Sequence, residues 1–202
     1  MSALLQQLAA MDWLEACGLV SGLLCVWLLI RQNIWNWPIG LVYSLVSLVV
    51  FYRARLYADL GLHVFYCVMN AYGWYYWLRG ARPASESELP VTRIPHTTAV
   101  SLAVVVVVAT WVSGYTLSTH TDAAVPYWDS ATTMMSFGAM WMMARKHIEN
   151  WVVWLVVDVI ATFIYLHKDL ELYAVLYGVY IAMAVAGWWA WRRTMQPQTV
   201  SS

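Results

Sequence analysis

The chain has 202 residues, 62% hydrophobic and 11% charged, and its 11 basic residues balance its 11 acidic ones. A soluble domain carries about 25% charged residues, so water cannot surround this protein on all sides, and zero net charge argues against a nucleic-acid footprint. With a mean hydropathy of +0.59 and fourteen Trp and thirteen Tyr, the composition suits a bundle crossing the bilayer between two interfacial aromatic belts.

In chain order, seven apolar spans fall near 12–30, 34–52, 57–78, 97–119, 126–144, 150–167 and 172–192. Each is about 20 residues long, enough to cross ~30 Å of hydrocarbon as a helix. The first does not read as a cleaved signal, because residues 1–11 hold no Lys or Arg to form its charged start. Cys17, Cys25 and Cys67 lie inside apolar runs without metal-ligand spacing and read as packing residues. The polar stretch from Arg79 to His96 reads as a solvent loop. The fourth span, with its Ala/Val run from Ala103 to Ala109, resembles no other part of the chain.

The spans on either side of it do resemble each other. Trp27, Arg31, Ile34, Asn36, Trp37, Leu41, Val42 and Leu56 recur 114 positions later as Trp141, Arg145, Ile148, Asn150, Trp151, Leu155, Val156 and Leu170. The same offset pairs Tyr66 with Tyr180, Gly73 with Gly187, Trp74 with Trp188, Trp77 with Trp191 and Arg79 with Arg193. The expected organisation is a three-helix repeat over 12–78, a loop and linker helix over 79–125, and a second three-helix repeat over 126–193. One linker helix between units of odd helix number gives both units the same orientation. The repeats are therefore parallel, and a duplicated helical unit in a bilayer suits a transporter whose halves rock about a site between them.

Orientation follows from the basic residues. Arg31, Arg79, Arg82, Arg93, Arg145, Lys146, Arg192 and Arg193 fall on the side of the C-terminus, against Arg53, Arg55 and Lys168 on the other. The excess puts the C-terminus in the cytoplasm and the N-terminus outside. Asp122, Asp129, Asp169 and Glu171 fall on the outer side.

Polar groups at membrane depth are the candidate site. An ionisable residue there costs at least ~2.5–3.5 kcal/mol, and Asp158 lies eight residues into the sixth span with apolar neighbours on both sides. Trp151, Trp154 and Asp158 share one helical face, where the first repeat has Trp37, Gly40 and Ser44. An aromatic plate and a carboxylate in one repeat alone would suit an asymmetric ligand, although a carboxylate can also serve as glue between helices. In the third span His63, Tyr66 and Asn70 form a second stripe, with Trp74 one turn on. Asn offers two donors and an acceptor, able to read an amide or a sugar hydroxyl. From Tyr75 onward the span reads as an interface belt.

Three segments, NIWNWPIG (33–40), LYADLGLHVFYCVMNAYGWYYW (56–77) and ENWVVWLVVDVIATFIYLHKDLELYA (149–174), together with PYWDS (126–130), resemble the PnuC family of bacterial vitamin transporters. The likeness covers roughly residues 12 to 193, and a WxxWxxxN/D motif is matched by Trp151, Trp154 and Asp158. It implies an all-α membrane fold like that of the SWEET transporters, a homotrimer in the bacterial inner membrane, and no cofactor. It also implies facilitated diffusion of nicotinamide riboside, trapped inside by phosphorylation, with the substrate near the membrane centre between the third helix and the second repeat. His63 stands where nicotinamide riboside members commonly carry Gln, and relatives on the same scaffold take up thiamine or, more rarely, riboflavin.

The residues themselves suit a flat cation. A pyridinium wants an electron-rich aromatic face, worth about 2 kcal/mol when desolvated, a carboxylate, and partners for its amide and sugar. Trp151 or Trp154, Asp158 and the Asn70/His63 stripe would supply these in turn, for thiamine as well as for nicotinamide riboside. Other classes fit less well. A retinal protein needs a lysine inside the last helix, whereas Lys146 and Lys168 lie at helix ends; neither HExxH nor GxxxxGK[ST] occurs. A membrane scaffold would leave Asp158 and Asn70 without a purpose.

Overall fold

The computed structural model describes residues 13–53, 55, 57–80, 88–121, 125–167 and 170–195. The uncharged segment 1–11, the acids Asp12, Asp122 and Asp169, Arg82 and Lys168 of the charge count, and Leu56 of the repeat lie outside the described residues. Among the described residues seven helices follow in order: α1 (Trp13–Ile30), α2 (Asn36–Arg53), α3 (Tyr57–Arg79), α4 (His96–His120), α5 (Pro126–Ala144), α6 (Asn150–His167) and α7 (Glu171–Thr194). They coincide with the seven expected spans. α4, α6 and α7 are long and apolar enough to cross a membrane by length and composition alone.

The helices pack as a ring. α1 touches α2 and α7, α2 touches α3, α3 touches α5, α5 touches α6 and α6 touches α7. α4 packs on α5 alone and turns Val104, Val105, Val107, Val108 and Trp111 outward. A shift of 114 residues maps α1, α2 and α3 onto α5, α6 and α7, and it maps the α1–α7 contact onto the α3–α5 contact. The ring therefore has a pseudo-twofold axis.

The repeated residues explain why the two units fold alike. Each first helix ends in a turn in which two amides reach back. Gln32 N–H donates to the Leu29 carbonyl and Asn33 N–H to Leu28; Lys146 N–H donates to Met143 and His147 N–H to Met142, at 2.9–3.0 Å throughout. This is the Schellman arrangement, which satisfies the carbonyls left over at a helix end. Asn36 and Asn150, both 0% exposed, then donate their side-chain amides to the Asn33 and His147 carbonyls at 2.7 and 2.6 Å. Each Asn thus ties the start of the second helix to the turn before it. The Trp that follows fills the space a glycine leaves on the third helix. A Cβ at Gly73 would run into the Trp37 ring, and one at Gly187 into the Trp151 ring. Trp37 meets Trp77 edge-on at 5.4 Å and 83°, and Trp151 meets Trp191 at 5.4 Å and 88°.

Two details differ from the sequence reading. Trp77, assigned there to an exposed belt, is 5% exposed and belongs to this aromatic core, whereas its neighbour Tyr75 is 63% exposed. The Arg79–His96 stretch is also more than a solvent loop. Leu89 and Val91 are buried in the core, and Thr92 forms an isolated parallel bridge with His147. Thr92 N–H donates to the Lys146 carbonyl and Ile148 N–H to the Thr92 carbonyl, both at 3.0 Å. Ile94 N–H reaches Glu149 Oε2 at 3.0 Å. The stretch after residue 88 is thus a strap across the turn between α5 and α6. Burial lowers the His147 imidazole below its usual range; Glu149 opposes the shift and Arg145 adds to it.

Candidate functional site

The polar side chains of both repeats converge inside the ring. In the first repeat Asn70 of α3 is 4% exposed, and its Nδ2 donates to the Tyr66 carbonyl at 2.8 Å and to Ser44 Oγ at 3.3 Å. Ser44 Oγ donates in turn to the Gly40 carbonyl at 2.8 Å. The Asn70 carboxamide fits only because residue 40 has no side chain: a Cβ at Gly40 would collide with Asn70 Oδ1. One and two turns earlier on α3, Tyr66 and His63 continue the stripe. His63 is 5% exposed and packed among Phe51, Tyr66 and Tyr43, with ring centroids 4.8, 5.2 and 5.7 Å away.

The second repeat brings Asp158, 5% exposed, about 12 Å along α6 from its start at 1.5 Å per residue. Tyr177 of α7 lies within electrostatic reach of Asp158, Tyr43 and Tyr66, and Tyr180 within reach of Asp158, Tyr43 and Cys25. Tyr177 stacks on Tyr165 at 5.2 Å and meets Tyr180 edge-on at 5.9 Å. Asp158 and Tyr66 are thus linked through Tyr177, which lies within reach of both. Among the described residues the nine Lys and Arg lie at helix ends or between helices, so none of them supplies a cation at the depth of Asp158. Among the described residues no three His, Cys, Asp or Glu side chains are placed to hold a metal ion.

At these positions the two repeats are alike in scaffold and opposite in filling. Trp154 is the counterpart of Gly40, and Ala184 is the counterpart of Asn70. In the first repeat a small residue on the second helix faces a large one on the third; in the second repeat the sizes are exchanged. Ala184 is 3% exposed, and half-buried Trp154 packs against the same core cluster. Trp151 has a different place from Trp154: at 2% exposure it sits in the α6–α7 packing against Gly187 and Trp191, as Trp37 sits between α2 and α3. Trp74, the outermost member of the α3 stripe, is 39% exposed.

Tyr43, Tyr177 and Tyr180 are the members that the sequence reading did not single out. Two of them had a signal, since Tyr180 is the counterpart of Tyr66 and Tyr177 that of His63. Tyr43 corresponds to Val157 and had none.

Residues 12–193 match the family described as nicotinamide mononucleotide transporter. The nicotinamide riboside transporter PnuC of Escherichia coli is 30% identical over 205 residues, which cover 90% of this chain and 85% of that protein. The riboflavin/roseoflavin transporter RibM of Streptomyces davaonensis is 24% identical, covering 88% of this chain and 84% of its own. A crystal structure of the vitamin B3 transporter PnuC superposes with a TM-score of 0.73 at 24% identity, over 90% of this chain and 81% of that one.

Proposed function

Because the chain belongs to the nicotinamide mononucleotide transporter family, a family of membrane proteins, we propose that it carries nicotinamide riboside across the bacterial inner membrane by facilitated diffusion. The single observation behind the choice of substrate is the buried Asp158 within reach of Tyr177 and Tyr180, at a depth that none of the described Lys or Arg reaches. An uncompensated carboxylate there is costly, and a permanently cationic ligand supplies the missing charge. The tyrosines and the half-buried Trp154 give the pyridinium electron-rich faces. Asn70 and His63 are left to read the carboxamide and ribose. Trp151 then backs the site as part of the aromatic core instead of stacking on the ligand.

His63 favours a second reading, thiamine, which is also a flat cation. Calorimetric titration of the purified protein with nicotinamide riboside, thiamine and riboflavin side by side separates the candidates. Tightest binding of nicotinamide riboside supports the first reading, and binding of thiamine alone replaces it. The proposal includes a cytoplasmic C-terminus, from the excess of Arg and Lys on that side, and two three-helix units rocking about the site between them with α4 as linker. It also includes a homotrimer, which cross-linking in reconstituted bilayers tests.

A further inference from the structure

The turns that end α1 and α5 place a long polar side chain where a glycine is easiest. Gln32 and Lys146 both have φ of 53°, the left-handed conformation that a Schellman turn requires of the residue after the helix and that glycine adopts without steric cost. Each is the other's counterpart, 114 positions apart, and the two touch: Lys146 Nζ donates to Gln32 Oε1 at 3.1 Å. In a twofold arrangement a residue meets its own counterpart only close to the axis. The contact therefore sits on the pseudo-twofold axis that runs between the two units, at the end of the bundle where α7 ends.

The surroundings hold it there. Lys146 is 2% exposed, with its ammonium 4.4 Å from the centroid of Trp77, a first-repeat ring. Gln32 Nε2 donates to Thr194 Oγ1 at 2.8 Å, and Trp191 Nε1 to the Leu29 carbonyl at 3.0 Å. Arg145 Nε donates to the Tyr72 hydroxyl at 3.2 Å. All of these bonds join one repeat to the other at the same end. Outside the contact a cavity of about 540 Å³ is lined by Gln32, Lys146, Arg31, Asn33, Trp77 and Glu88, among others. Just inside it lies Cys25, against Gly40 and five residues before the end of α1.

We propose, resting on the transport reading above, that Gln32 and Lys146 form the gate at this end of the path: closed here, with the cavity as the vestibule beyond it. Inward opening requires the Lys146–Gln32 bond to break and Lys146 to leave Trp77. The fold accepts two residues in a backbone conformation suited to glycine because their side chains latch the repeats together.

Cys25 reports on this directly once Cys17 and Cys67 are changed to Ser. Its rate of modification by a membrane-impermeant thiol reagent is measured from each face, in vesicles of both orientations. Lys146→Gly and Gln32→Gly keep the turn's preferred backbone while removing the latch. Lys146→Met keeps the residue and its apolar stem but removes the donor. All three are expected to raise modification from the C-terminal face at least tenfold and to leave or lower it from the opposite face. No rise in any of them, or a rise with Lys146→Gly that Lys146→Met does not share, overturns the gate, since the second result would come from the backbone alone. The reading as a nicotinamide riboside carrier fails separately: a protein that did not bind that vitamin would still show the shift in Cys25 modification.

Discussion

Trp151 and Trp154 occupy one motif and one helical face, yet the structure gives them different work, and truncating each to Ala tells them apart. Trp151 is 2% exposed, edge-on to Trp191 and seated in the space that Gly187 leaves. Removing a buried Trp costs about 3–5 kcal/mol. The low end applies here, because in a bilayer the truncated surface loses packing without being returned to water. At roughly 2–4 °C per kcal/mol for a chain of this size, Trp151→Ala is expected to melt about 6–12 °C below the wild type. Trp154 is half-buried, and its loss removes little packing but one aromatic face from the proposed cation site, worth about 2 kcal/mol. That is about a 30-fold loss of affinity at 1.36 kcal/mol per tenfold, with melting little changed. The assays are thermal unfolding of the detergent-solubilised protein and calorimetric titration with nicotinamide riboside. If folded Trp154→Ala kept wild-type affinity while Trp151→Ala lost binding without losing stability, the assignment of roles from burial would be refuted.

Asp158→Asn is expected to weaken nicotinamide riboside by about two orders of magnitude, since a unit charge about 5 Å away at an effective dielectric constant near 20 contributes about 3 kcal/mol. A neutral dihydropyridine riboside should be largely spared, and equal losses for both ligands would show Asp158 to be structural. His63→Gln should shift preference toward nicotinamide riboside if thiamine is the native substrate and leave the ranking alone if it is not, read by competition titration of both vitamins. A reporter fused to the C-terminus should read as cytoplasmic; an external readout overturns the orientation. His147 carries the pH dependence of the strap. With its folded pKa below the ordinary 6.5, the unfolded chain binds the proton more readily, so this contribution is complete above about pH 6.5 and fades as pH falls toward the folded value. His147→Gln should flatten the fall in melting temperature between pH 7.5 and 5.5, and an unchanged slope would remove His147 from the explanation.

Much of the architecture was legible because it depends on patterns within one helix or at one offset. Span length and hydropathy marked the seven helices. The Asn-Trp and Gly-Trp-x-x-Trp matches marked the turns and aromatic wedges that the structure builds from Asn36, Trp37, Gly73 and Trp77 and again from Asn150, Trp151, Gly187 and Trp191. Asp158 and Asn70 stood out because a polar group at membrane depth needs a reason to be there. The buried Trp77 and the strap from Leu89 to Ile94 were read as exposed, because apolar side chains near a helix end look the same from sequence whether they meet lipid headgroups or the partner repeat.

What the amino-acid order by itself determined is therefore the element list, the duplication and the polar residues that had to face inward. What only the tertiary structure decided is which of those residues meet. A helical face spans a wide arc, so sequence spacing could place Trp151, Trp154 and Asp158 together but could not say that Gly187 would draw Trp151 into the wedge. Nor could it show that Tyr177 and Tyr180 would link Asp158 to Tyr43, or that Lys146 would find Gln32 across the axis. The last of these contacts joins residues 114 positions apart, and it exists only because two copies of one unit close into a ring.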